Sequence, residues 1–352
     1  MRDRSGGAGH CADAQVGFPL GGHQKLPRRL DELSPQPGAL AAAVARAAPR
    51  SGFIFHLTNY TPVFIVNKKM PVYLGAVVPE PLTITRITHS CHLIRIGELT
   101  VLTDPWFSEK IFYHPGEPVA LQPSELPRLD AVLISHHHYD HCDLAAFAAY
   151  RDKDVPMIVA GPVAARARAA GFTDVRVLEP WDTAAVGDLT ITAAPGKHAV
   201  YEITFVISAA GRSVYFAGDT MLIPELRTLP DRFAHFDAAL LPVNGLRIRP
   251  QLNKQVVMNA EQAAELTAIL RPAITIPHHY AFTGGWLGDR LITKGDRNPR
   301  HFVSAAQRLA PGSAVQILQP GEPLRLETAK DSPALHPAER QPGSHAIRSD
   351  SA

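Results

Sequence analysis

Several things are scarce in this chain, and each scarcity closes off a class of protein. Only three cysteines occur in 352 residues, Cys11, Cys91 and Cys142. They form no spaced framework, so a disulfide scaffold is excluded and a reducing, cytoplasmic setting is expected. No apolar run reaches the ~20 residues of a membrane span. The nearest, Phe53 to Val66, is broken by His56, Asn59 and Pro62. Net charge is scarce too: 35 Lys and Arg against 33 Asp and Glu leave +2. No basic cluster is long enough to follow a phosphate backbone, so no nucleic-acid partner is expected. What remains, 45 % apolar and 19 % charged residues, is the balance of a folded globular protein.

The texture divides the chain in three. Residues 1–80 form a low-complexity N-terminal extension, rich in Gly, Ala, Pro and Arg up to residue 50, with an added strand or flap expected over 53–79. Arg28-Arg29 makes a poor export signal, because Asp31, Glu32, Pro35 and Pro37 interrupt the residues after it. Residues 328–352 are polar and Pro-rich and read as a disordered C-terminal tail. Between them, 81–327 carries a β-rich domain with no visible internal repeat. Thr83 to Thr88 alternates as a strand. Cys91 to Ile96 and Leu99 to Thr103 form a hairpin across Gly97-Glu98. Further strands are expected at Met157–Ala160, Val175–Leu178, Leu189–Ala193, Glu202–Ser208, Ser213–Ala217, Ala238–Leu241, Ala273–Ile276, Val315–Leu318 and Leu324–Leu326. Helices are expected at Pro162–Ala170, from a capping box at Asn259 to Pro272, and at Pro299–Leu309.

The most informative stretch is Ser135-His136-His137-His138-Tyr139-Asp140-His141. It follows the buried-strand pattern Ala131 to Ile134 and precedes a helix start capped by Asp143. It therefore occupies a strand-to-helix loop, a common place for function. In extended chain, residues i and i+2 point the same way, so His136 and His138 can share one metal ion. Asp140 and His141 fall where the chain turns and can face a second. Imidazole plus carboxylate suits zinc, manganese or iron.

Three other strand ends present similar residues: His198 after the strand at Leu189, Asp219 after that at Ser213, and His278-His279 after that at Ala273. One alone would read as a cap or turn residue. Together they raise the candidate ligands to seven, enough for two divalent ions.

This set, His136-x-His138-x-Asp140-His141 followed by His198, Asp219 and His279, resembles the five-motif pattern of the metallo-β-lactamase superfamily, over roughly residues 82–327. The resemblance implies an α/β fold, the αββα four-layer sandwich. It implies that His136, His138 and His198 hold one ion, that Asp140, His141 and His279 hold the other, and that Asp219 bridges them. It favours His279 over His278 and leaves His137 a bystander. Within the superfamily, His89, Thr103-Asp104-Pro105-Trp106, Tyr215 to Thr220, Leu241 to Gly245 and Ile276 to Tyr280 resemble the ascorbate-6-phosphate lactonase-like group. Tyr139-Asp140-His141 also resembles N-acyl-phosphatidylethanolamine phospholipase D.

Such a site is expected to be hydrolytic. Water bound to a divalent ion ionises at a pKa of ~7, and the hydroxide would attack a carbonyl carbon or a phosphorus, with Asp140 and Asp219 as the catalytic carboxylates. Asp104, at a neighbouring strand end, is a candidate to orient a ligating histidine, or else a turn residue before Pro105. His89 either lines the site or sits in the core. Cys142 reads as a buried filler; Trp106, Tyr280 and Trp286 are either pocket walls or core, and 282–297 a substrate-facing loop. The residual charge of the site favours a small or lipid-linked anionic substrate, with Phe53 to Val66 as an apolar lip in the second case. A homo-oligomer is compatible with all of this. Two other readings compete: a di-iron redox protein on the same fold, in which a glutamate would be expected at His138, and a non-catalytic metal-binding module, which would be expected to have lost ligands.

Overall fold

The structure is a computed structural model and describes residues 79–327. The expected extension (but for residues 79 and 80), the Phe53–Val66 lip and the C-terminal tail lie outside the described residues.

The alternating pattern that opens the domain folds as β1 (Leu82–Thr88), β2 (Cys91–Ile96) and β3 (Leu99–Thr103). Gly97, at φ +58°, makes the two-residue turn that sets Ile96 opposite Leu99. The chain continues through β4 (Ala131–Ile134), α1 (Leu144–Phe147), β5 (Met157–Val159), α2 (Ala164–Ala169) and β6 (Val175–Val177). Then come β7 (Thr183–Val186), β8 (Leu189–Pro195), β9 (Ile203–Ala209), β10 (Arg212–Phe216), α3 (Leu229–Arg232) and β11 (Ala238–Pro242). The last third holds β12 (Arg247–Ile248), β13 (Lys254–Gln255), α4 (Ala260–Leu270), β14 (Ile274–His278) and α5 (Gly285–Leu291). It closes with β15 (Thr293–Lys294), α6 (Arg300–Leu309), β16 (Ala314–Val315) and β17 (Pro323–Leu326).

Two seven-stranded sheets result, in the orders β17-β1-β2-β3-β4-β5-β6 and β16-β14-β11-β10-β9-β8-β7. In the first, β17 to β3 pair antiparallel and β3 to β6 parallel. Counted from β7, the second repeats the series: antiparallel to β10, then parallel to β16. The sequence shows no such repeat because hydrogen-bonded pairing constrains pattern and spacing, not residue identity.

Side-chain alternation sorts the layers. Ile191, Phe205, Ile207, Val214, Phe216, Leu240 and Ile276 pack with Ile84, Ile94, Leu102 and Val132 in one core between the sheets. Their neighbours Val206, Tyr215, Ala239 and Leu241 face the other way, onto Ala263, Leu266 and Leu270 of α4 and Phe302 and Ala306 of α6. Phe147 of α1 and Ala167 of α2 join the first core from outside sheet one. The arrangement is the four-layer αββα sandwich of the metallo-β-lactamase fold.

Sequence patterning missed several features, the four-residue α3 among them. Strand β7 has no buried residue and so shows no apolar alternation. Strands β12, β13 and β15 form a third, small sheet of two-residue strands, too short to carry a period. Residues 282–297, expected as a loop, contain α5 and β15. The strand expected at Val315–Leu318 is shorter, Ala314–Val315.

Candidate metal centre

Strand direction gathers the site at one edge. The C-terminal ends of β1, β3 and β4 deliver His89, Asp104 and the His136–His141 loop. From the second sheet, the ends of β8, β10 and β14 deliver His198, Asp219 and His279. The loop is anchored by Asp143, which caps α1 through Ala146 N (3.2 Å) and accepts from Ser108 N (2.9 Å) and Ser108 Oγ (2.6 Å). His89, Asp104 and His279 all have positive φ, at +46°, +33° and +62°. For residues with a Cβ this costs of order 1–3 kcal/mol each, a strain that concentrates at functional sites.

His136, His138 and His198 converge on one point. His136 Nε2 and His198 Nε2 stand 3.1 and 3.0 Å from His138 Nδ1. Three nitrogens around one ion at the usual ~2.0–2.1 Å would be separated by about 3.3 Å. His198 donates from Nδ1 to the Val256 carbonyl at 2.7 Å, which leaves the Nε2 lone pair free.

Asp140, His141 and His279 form the second group, and His89 joins it. Asp219 Oδ2 lies between the groups: 2.7 Å from His279 Nε2, 3.2 Å from His141 Nε2 and 4.0 Å from His198 Nε2. Asp140 Oδ2 lies 3.5, 3.7 and 3.9 Å from the Nε2 atoms of His89, His141 and His279. His89 therefore faces the cluster, and of the two placements open to it the structure shows the one at the site. The signal was its position at the end of the first strand, on the same edge as Asp104.

The donor set fits a cation. Asp140 Oδ1, Asp219 Oδ1, His141 Nε2 and His279 Nε2 are buried without a hydrogen-bond partner, an arrangement that costs free energy until something positive fills it. Burial, with the neighbouring imidazoles, holds His136 well below the ordinary histidine range, and burial lowers His138 to about 4. Both are thus lone-pair donors at neutral pH. Burial alone would raise Asp140 and Asp219, but His141 beside both, with His89 at Asp140 and His279 at Asp219, holds them below the usual carboxylate range.

Two buried acids brace this shell. Asp104 Oδ2 accepts from His141 Nδ1 and from Ser135 Oγ, both at 2.7 Å, and Oδ1 accepts from Ser135 N at 2.7 Å. Of its two candidate roles, the structure shows Asp104 orienting a histidine. Glu202, which the sequence did not single out, immediately precedes β9. Its Oε1 accepts from Asp219 N at 2.6 Å and lies 3.4 Å from His136 Nδ1. Burial and the Asp219 charge push its carboxyl well above the usual range. An isolated Glu before a strand carries no spacing signal, which is why it was missed.

His278 points away from the cluster. Its Nδ1 meets Ser90 Oγ at 2.9 Å and its ring stacks 5.6 Å from Phe216 between the sheets. His137 lies outside the clusters. Cys142 is buried, and burial pushes its thiol up to about 12. Cys91 is likewise free and buried. Tyr280 lies under Arg86 in the core, Trp106 packs edge-on against His89, and Trp286 is exposed.

Above the cluster opens a cavity of about 400 Å³ with His138, Asp140, His198 and Asp219 at its floor. Its walls include Phe112, Tyr113, Leu246, Ile248, Phe282 and Ile292. The 282–297 segment thus faces the cavity, as a helix and strand rather than a loop.

Two packed sheets with helices outside, and a His and Asp cluster at their shared edge, define a metallo-β-lactamase-fold protein. Residues 100–280, just over half of the chain, match the family described as the Beta-lactamase superfamily domain, and the chain belongs to that superfamily. It is similar to a metal-dependent hydrolase of Deinococcus radiodurans, with 29 % identity over 256 residues, 70 % of this chain and 100 % of that protein. Among solved structures it resembles Igni18, a metallo hydrolase of Ignicoccus hospitalis, at 22 % identity and TM-score 0.54, over 70 % of this chain and 99 % of the other. CmlA, a diiron β-hydroxylase of Streptomyces venezuelae, shares the fold at 20 % identity and TM-score 0.56, over 70 % of this chain and 55 % of its own. At such identities the likeness to both structures is one of fold alone.

Proposed function

We propose that this protein is a metal-dependent hydrolase cleaving an ester-type bond, a lactone or a phosphodiester. The carrying observation is the convergence of seven donors, several with unpartnered buried atoms, beneath a substrate-sized cavity that four of them line. His136, His138 and His198 would hold one divalent ion and Asp140, His141 and His279 a second, with Asp219 reaching both; zinc suits this donor set best, then manganese or iron. Bound ions would supply Lewis acidity toward the substrate oxygen and bring the pKa of water close to neutrality.

The chain's own residues do the rest. Asp140, ionised and exposed to the cavity, is placed to orient a water and accept its proton. Asp104 holds His141, and the Val256 carbonyl holds His198, each with Nε2 turned to the floor. The apolar walls limit competing water. The name of the Deinococcus relative agrees with this reading.

Elemental analysis of purified protein, run with a generic ester and a generic phosphodiester, tests it. About two equivalents of metal and turnover of one substrate are expected. Asp140→Asn should lose turnover and up to one of the two equivalents of metal, the ion held by His136, His138 and His198 being kept. Absence of metal after reconstitution would overturn the reading.

A further inference from the structure

The charge of the cluster argues for an anionic substrate, but the cavity above it argues differently. No lysine or arginine lines the cavity among the described residues, and its only acids are Asp140 and Asp219 at the floor. The walls offer Phe112, Val200, Leu246, Phe282 and Ile292. Cations do occur in the segments that build these walls, though none lines the cavity, and three of them are engaged elsewhere. Arg249 donates to the backbone carbonyls of Asp289 and Thr293, both at 3.3 Å. Arg297 pairs with Asp289. Lys110 sits over the Tyr139 ring, 5.0 Å from its centroid. The same segments carry the apolar surface outward: Ile111, Leu252, Trp286 and Leu291 are 77, 97, 79 and 55 % exposed beside cavity-lining neighbours.

An anionic group held away from the floor would lose hydration there and gain no cationic partner, only the uncharged polar groups of Tyr113, Gln251 and Thr293, a balance that selects against it. An apolar group would bury against the walls and continue over the exposed rim. We propose that the substrate carries its only polar or charged centre at the bond being cleaved, and that its remainder is an uncharged apolar group, such as an alkyl or aryl chain. A phosphorylated or carboxylated small lactone is thereby disfavoured. This rests on the hydrolase reading for the reacting end only; the apolar walls stand independently of it.

The test separates the two. Hydroxamates grip a metal ion through two oxygens, so calorimetry on the metal-loaded protein can read the tail alone. Acetohydroxamate, hexanohydroxamate and the monohydroxamate of succinate are the probes, and the matching nitrophenyl esters are assayed in parallel. Affinity should rise about fourfold per buried methylene, at ~0.8 kcal/mol each, and the carboxylate tail should bind at least tenfold more weakly than the hexanoyl tail. Ile292→Lys, which places a cation on the wall, should recover binding of the carboxylate-tailed probe. Tail-independent affinity, or tighter binding of the carboxylate tail by the unaltered protein, would overturn the proposal. A tail preference with neither these esters nor a nitrophenyl phosphodiester cleaved would leave the apolar-tail reading standing and remove the hydrolase reading instead.

Discussion

Asp104 reaches across 2.7 Å to His141 Nδ1 while the same carboxylate takes the Ser135 hydroxyl, so one buried acid fixes both the tautomer of a candidate ligand and the start of the loop that carries the others. Burial raises the Asp104 carboxyl, and the bond to His141 opposes that rise. Replacement by Asn keeps the shape but removes the charge that stabilises the Nδ1–H tautomer. Asp104→Asn is therefore expected to weaken metal binding 10–100-fold, the usual range for such partners, as read by competition with a chelator.

The adjacent histidines separate two roles. His279→Ala should lower metal content and turnover with little change in stability. His278→Ala should do the reverse, costing about 1–3 kcal/mol through the cavity it leaves and the unpaired Ser90 hydroxyl. Denaturant melts beside elemental analysis check this, and the opposite pattern would move the ligand by one residue.

Glu202 offers a similar contrast. Glu202→Gln keeps an acceptor for Asp219 N, and its carboxyl is already pushed toward the neutral form. It should remain folded, with stability changed by less than about 1 kcal/mol. Glu202→Ala leaves that buried N–H unmatched and should cost about 1–3 kcal/mol. Urea titration distinguishes them.

Gly218 precedes Asp219 at φ +54°, and a Cβ there would stand 2.5 Å from Glu202 Oε1 and 2.9 Å from Ser135 Cβ. Gly218→Ala combines left-handed strain with a clash against buried groups. Stability is expected to fall by more than about 2 kcal/mol, from overpacking and strain together, and metal affinity to fall with it.

His92 sets an acid limit away from the ligand cluster. Burial, with Arg86 nearby, lowers it to about 3 from 6.5. The unfolded chain therefore binds more protons than the folded one between those values. Stability from this group is complete above pH 6.5 and is lost as pH falls toward 3, by up to about 1.4 kcal/mol per unit. In chelator, the melting temperature of the parent should fall more steeply below about pH 6 than that of His92→Leu; equal slopes would sink the assignment.

The alternation of Thr83 to Thr88, the Gly97 hairpin and the Asn259 capping box made the main strands and α4 legible in the sequence, because each signal is local. The seven clustered donors were legible for another reason: catalytic chemistry restricts residue type at strand ends. Glu202 was not, since burial beside His136 arises only when β9 crosses to the edge of β4. Nor were the cavity walls. They come from two-residue strands and a seven-residue helix, whose positions depend on tertiary packing rather than on period. The net site charge describes the floor alone, and the walls, on which the proposal about the substrate's tail rests, carry no signal in the sequence.

The last strand of the domain pairs with the first: Leu82 sits opposite Leu326, and Arg86 donates to the Leu318 carbonyl. Sheet one therefore cannot close until nearly the whole domain has been synthesised. During translation β1 waits as an open edge, able to capture the same strand of another nascent chain. A product that stops before Pro323 would keep every residue of the metal cluster and still carry that edge, so its failure would be one of assembly in the cell rather than of chemistry.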